Sequence, residues 1–131
     1  MARFTWICLG GAIGTGLRYL VTGWAVTLFG AAFPWGTFAV NVSGSFLIGV
    51  IMQLALATRM ISPTVRLFLT TGVLGGMTTY SSFNYETVRL VREGAWWLAT
   101  ANFALTTVAC LVAGIAGIVL VERLVLSHAG M

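Results

Sequence analysis

Charge is missing from three long stretches of this chain. No residue between Arg18 and Arg59 is charged, none from Leu67 to Tyr85, and none from Gly94 to Val121. A helix needs about 20 mostly apolar residues to cross a bilayer. The Arg18–Arg59 gap holds most of two such spans, with Phe33-Pro34-Trp35-Gly36 between them as a turn. Of the 131 residues, 59% are hydrophobic and 8% are charged, whereas a soluble domain carries about 25% charged residues. A water-facing surface could not be covered from this stock. The expected fold is a single all-α integral membrane domain over residues 1–131. Its four transmembrane helices lie at roughly 4–29, 35–58, 65–91 and 96–121, bounded by the charge gaps. The first apolar stretch is longer than the core of a signal peptide, about 7–15 residues, and it contains Arg18, so it reads as a retained span.

The remaining composition mostly excludes functions. All seven basic residues are arginine and the net charge is +4, but they are scattered at span ends and form no basic face for nucleic acid. They read as interface anchors. Their bias between the two sides is weak: Arg3, Arg59, Arg66 and Arg123 fall on one, Arg89 and Arg92 on the other. That pattern barely selects an orientation and suits a chain that inserts both ways. Cys8 and Cys110 lie within apolar spans and act as small hydrophobes. His128 belongs to a solvated tail. No nucleophile–base pair or metal cluster occurs at usable spacing, so an enzyme is not expected.

Polar residues inside the spans carry the functional signal. Gly10 and Gly14 form a small-xxx-small pair suited to close helix packing. Arg18 is an ionisable residue within a span, which either faces a cavity or partner or snorkels to the interface. In the second span Thr37, Asn41 and Ser45 recur every four residues, continued by Gly49 and Gln53, which places them on one helix face. Such a stripe is either interhelical hydrogen-bond glue or a wet pathway, and an amide near mid-span is costly to leave unpaired. The third span, Thr70 to Glu86, is rich in glycine and hydroxyl residues. Gly75-Gly76 followed by Met77-Thr78-Thr79 predicts a break, which at membrane depth is tolerated where backbone is buried in protein or lines a cavity. The fourth span carries a weaker stripe of Asn102, Thr106 and Cys110, and Trp96-Trp97 fits an interfacial anchor. Four short spans barely enclose a pore, so a two-fold homo-oligomer is expected.

Three motifs carry a resemblance. They are Gly11-x-x-Gly14-x-x-x-Arg18-Tyr19, Pro34-Trp35-Gly36-Thr37-Phe38-Ala39-Val40-Asn41-Val42-Ser43-Gly44-Ser45-Phe46, and Gly72-Val73-Leu74-Gly75-Gly76-Met77-Thr78-Thr79-Tyr80-Ser81-Ser82-Phe83 with Glu86-Thr87. Together they resemble the Fluc (CrcB) fluoride channels of bacteria over essentially the whole chain. The resemblance implies an antiparallel, dual-topology homodimer in the inner (plasma) membrane that exports cytoplasmic fluoride passively through two pores. It also implies a structural sodium ion at the dimer interface, held by the backbone carbonyls of Gly75 and Thr78 from both subunits. Asn41 becomes the pore amide, Tyr80 and Phe83 the paired rings whose edges meet fluoride, and Ser81 and Thr106 a hydroxyl track. Arg18 and Thr37 belong to the vestibule. The sequence departs at Tyr80, where the family usually has phenylalanine; the ring edge survives and a phenol hydroxyl is added.

These assignments make physical sense. A dry pore must replace the water of a strongly hydrated ion with donors, and amide and hydroxyl groups supply them. Aromatic ring edges carry partial positive charge. A pore must also bind weakly enough to release its ion, and neutral donors suit that demand. The alternative is a small four-span, proton-coupled multidrug-type exporter. It would need a membrane-embedded carboxylate, for which Glu86 is the candidate.

Overall fold

The computed structural model describes residues 1–58 and 61–129, with side chains as far as Val125. Arg59, counted above toward orientation, and the His128 side chain lie outside the described residues. The chain is all-helical, in four helical passes. Helix α1 (Ala2–Phe29) has 28 residues, about 42 Å at the helical rise. It ends at Gly30, whose φ of 76° is left-handed and whose N–H bonds the Val26 carbonyl. The turn therefore occupies 30–34, and Trp35 and Gly36 already belong to α2 (Trp35–Ala57), because Pro34 fits a helix start and not an interior.

The third span comes in pieces: α3 (Pro63–Leu67), a π-helical stretch (Phe68–Leu74), α4 (Gly75–Met77) and α5 (Tyr80–Arg92). It begins with Pro63 in the first turn and the Ser62 hydroxyl accepting from the Val65 N–H at 3.3 Å, a standard N-cap. The break falls at Thr78–Thr79, both extended, and not at the glycine pair. Gly75 and Gly76 both stay helical, and Gly76 serves packing: a β-carbon on it would lie 2.5 Å from the Gly11 carbonyl oxygen of α1. The Thr79 side chain caps α5 by accepting from the Ser82 N–H. Helix α6 (Trp96–Ala129) runs past the expected end at 121. Glu122 and Arg123 end the apolar stretch but not the helix, since neither breaks a helix. Among the described residues three helices are long and apolar enough to cross a membrane: α1, α2 and Trp96–Val125 of α6. The broken pass is the fourth.

Packing is close and largely glycine-mediated. A β-carbon on Gly10 would sit 2.7 Å from the Phe68 carbonyl oxygen, and one on Gly14 would collide with that of Val73. The first half of the third span thus lies backbone to backbone on α1, running parallel to it. Helices α2 and α6 approach the same way, at Gly49 against Gly114 and Gly117 against Phe46. Val40, Leu74 and Met77 form the small buried core, with Val21 and Ile51 against it. After the break α5 leaves α1 and packs on α6. Large apolar side chains such as Leu9, Ile13, Phe103, Leu111 and Ile115 remain exposed, as a lipid-facing surface requires.

Candidate functional site

The stripe on α2 meets three different neighbours in turn. Near its start, the Thr37 hydroxyl donates to Glu86 Oε1 of α5 at 2.8 Å. One turn on, Asn41 grips the break: its Nδ2 donates to the Thr79 carbonyl at 3.1 Å, and the Thr79 N–H donates to Asn41 Oδ1 at 2.8 Å. Ser45 donates back to the Asn41 carbonyl at 2.8 Å, and Gln53 Nε2 donates to Glu122 Oε1 of α6 at 3.3 Å. The stripe is therefore glue between helices, and it also borders two cavities.

The first cavity, of about 530 Å³, lies beside the break and is lined by Asn41, Gly75, Thr78, Tyr80, Phe83 and Thr106 among others. Phe83 is buried and its ring centroid is 5.6 Å from that of Tyr80, with the rings tilted by 53°. Tyr80 is 77% exposed in the single chain, so its ring stands at the rim. The second cavity, of about 600 Å³, lies toward the α1–α2 turn and takes Thr37, Ser81, Glu86 and Arg89 into its wall. The Ser81 Oγ is 3.1 Å from Thr79 Oγ1. Arg18 is half-buried and lines neither cavity.

The break also alters two backbone carbonyls. In a continuous α-helix each carbonyl takes the N–H four residues on. The Thr79 N–H, due to Gly75, goes to Asn41, and the Ser82 N–H, due to Thr78, goes to Thr79 Oγ1 at 3.1 Å. Gly75 and Thr78 thus lose their helical donors, which suits oxygens offered to a hard cation. No group of three or more His, Cys, Asp or Glu residues gathers among the described residues.

Three residues outside the expected site prove central. Asn102 is 1% exposed. Its Nδ2 donates to Thr87 Oγ1 at 2.8 Å, its Oδ1 accepts from the Thr106 hydroxyl at 3.2 Å, and the Thr87 hydroxyl donates to the Phe83 carbonyl at 2.7 Å. This relay ties α6 to the helix turn that carries the Phe83 ring. The i, i+4 pairs Phe83/Thr87 and Asn102/Thr106 were its sequence signal. Glu86 is the third: its Oε2 is buried with no hydrogen-bond partner among the described residues.

The family model for CrcB-like proteins, described as Camphor Resistance (CrcB), matches residues 5–118. The chain belongs to the CrcB-like family. Within that family it is 54% identical over 125 residues to a protein of Sorangium cellulosum named fluoride-specific ion channel FluC, covering 95% of this chain and 98% of the relative. A protein of the same name from Anaeromyxobacter sp. (strain K) is 53% identical over 95% of this chain and 98% of its own length. Another, from Geobacter sulfurreducens, is 48% identical over 90% of this chain and 95% of its own length. As a CrcB-like protein with long apolar helices, the chain is a multi-pass membrane protein.

Proposed function

We propose that this chain is a fluoride-selective ion channel. It gives passive export of cytoplasmic fluoride across the bacterial inner membrane, through two pores of an antiparallel homodimer. The observation that carries this reading is the likeness, at about half identity and over nearly the whole chain, to proteins named fluoride-specific ion channels. The geometry supports it. Asn41 Nδ2 has two hydrogens; one is spent on Thr79 and the other is left for an ion in the first cavity. The edges of Tyr80 and Phe83 offer weak positive charge in the same cavity. Ser81 and Thr37 border the second cavity, where an ion would enter or leave. The Thr106 proton is spent on Asn102, so its share in a hydroxyl track requires that bond to be exchanged for one to the ion.

Arg18 lies on the same α1 stripe as Gly14, one turn beyond the approach of Gly14 to Val73 and Met77. Its guanidinium has no ion pair among the described residues; an ionisable group within a span calls for a cavity or a second chain, and we assign it to the vestibule of the dimer. A sodium ion at the dimer centre would take the Gly75 and Thr78 carbonyls of both subunits. One chain offers two of these carbonyls and the second subunit doubles them, and oxygen is the ligand a hard cation prefers. When bound, the ion would tie the two broken spans together.

The test is anion efflux from liposomes holding the purified protein in potassium salt. Fluoride should leave rapidly once valinomycin carries the counter-charge, and chloride should stay. A protein that releases no fluoride, either as wild type or as Tyr80→Phe, would end this reading.

A further inference from the structure

The Thr79 N–H has two acceptors within its reach in different states of the chain. In a continuous helix it would close on the Gly75 carbonyl, four residues back. In this structure it donates instead to Asn41 Oδ1 at 2.8 Å. Asn41 then returns a hydrogen bond to the Thr79 carbonyl at 3.1 Å, so one side chain satisfies both backbone polar groups of the residue that leaves the helix. Buried backbone groups must be paired, and without this pairing the least costly alternative for the Thr79 N–H is the Gly75 carbonyl. The neighbouring turn of α2 is shaped to the same end. A β-carbon on Gly44 would collide with the Thr78 methyl group, so glycine there admits the extended segment beside Asn41.

We propose that Asn41 is a positioning residue that keeps the third span broken, and thereby keeps the Gly75 carbonyl free for a cation, besides turning its remaining amide hydrogen toward the ion pathway. This inference rests on the channel and cation reading above. It links the two sites through one side chain: the oxygen of Asn41 serves the cation side and its nitrogen the anion side.

The experiment separates the two halves of the amide in the full-length purified protein. Asn41→Asp keeps the acceptor for Thr79 and loses the donor; Asn41→Leu is close in shape and loses both. Two quantities are read: the rise in unfolding temperature in sodium chloride over N-methyl-D-glucamine chloride, and fluoride efflux from liposomes. Wild type should show both the sodium-dependent rise and the flux. Asn41→Asp should lose flux to background, because a carboxylate repels the anion, yet keep most of the sodium-dependent rise. Asn41→Leu should lose both. If Asn41→Leu does not give a monodisperse protein, Asn41→Ser, too short to reach Thr79, takes its place with the same expectation. A Leu or Ser variant that keeps the full sodium-dependent rise while losing flux would overturn the proposal and leave Asn41 as a pore group alone. An Asp variant that loses the rise would equally overturn it. A wild type with fluoride flux but no response to sodium would overturn this inference and the cation reading, and leave the channel reading standing.

Discussion

From Phe68 to Met77 the third span lies on α1 backbone against backbone, through Gly10, Gly14, Gly72 and Gly76. From Tyr80 to Arg92 it is held by side chains, through Thr37 to Glu86 and Asn102 to Thr87. One half is fixed by shape and the other by hydrogen bonds, and the change of method coincides with the break. Glycine contact suits lipid, where van der Waals fit drives helix association, and it leaves no room for an ion. Polar tethers hold α5 off α1 and border the cavities. A single span thus anchors the fold on α1 with its first half, whose Thr70, Leu74 and Gly75 also line the first cavity, and carries the paired rings on its second.

The comparison can be broken most severely at its first half. Gly14→Val would drive a branched side chain into the Val73 carbonyl; overpacking of this kind costs about 3 kcal/mol at the upper end. The variant should unfold at markedly lower temperature in detergent and lose its monodisperse elution peak. A wild-type profile would show that the glycine seam is not close-packed. At the second half, Asn102→Leu removes a buried amide that satisfies two threonines. Leaving such groups unpaired costs about 1–3 kcal/mol. It should lower the unfolding temperature less than Gly14→Val does but reduce fluoride efflux, since the turn bearing Phe83 loses its tether. Unchanged efflux in a stably folded Asn102→Leu protein would mean that the relay does not position the ring. The smallest effect is expected at Tyr80→Phe. That ring is exposed in the single chain, so stability should shift by no more than about 0.5 kcal/mol. Fluoride efflux should equal or exceed that of the wild type, and a fall would show that the phenol hydroxyl takes part in conduction.

Much of this was legible before any coordinates. The charge gaps marked four passes, and the glycine and hydroxyl content from Thr70 to Ser82 marked the broken one. The break falls within that stretch, at the threonines and not at the glycine pair, because glycine signals two things alike, a helix that stops and a helix that is closely approached. Only the position of α1 shows that Gly76 does the second. The end of α6 was set too early because a charged pair marks where the apolar stretch stops, and helices continue through such pairs. The exporter alternative yields to family membership. Glu86, its candidate carboxylate, is engaged by Thr37 at the second cavity.

The sequence by itself determined that the chain is membrane-embedded, that it divides into four helical segments, and which family it resembles, because hydropathy, charge spacing and motif identity are properties of the linear order. It also singled out Asn41, Tyr80, Phe83 and Thr106, which the fold brings to one cavity. Tertiary structure alone decided which partner each polar group takes. Asn41 and Thr79 are 38 residues apart and Thr37 and Glu86 are 49 apart, so no local pattern encodes their pairing. Only the packed arrangement of α2, α5 and α6 sends the Thr79 N–H to a side chain instead of down its own helix.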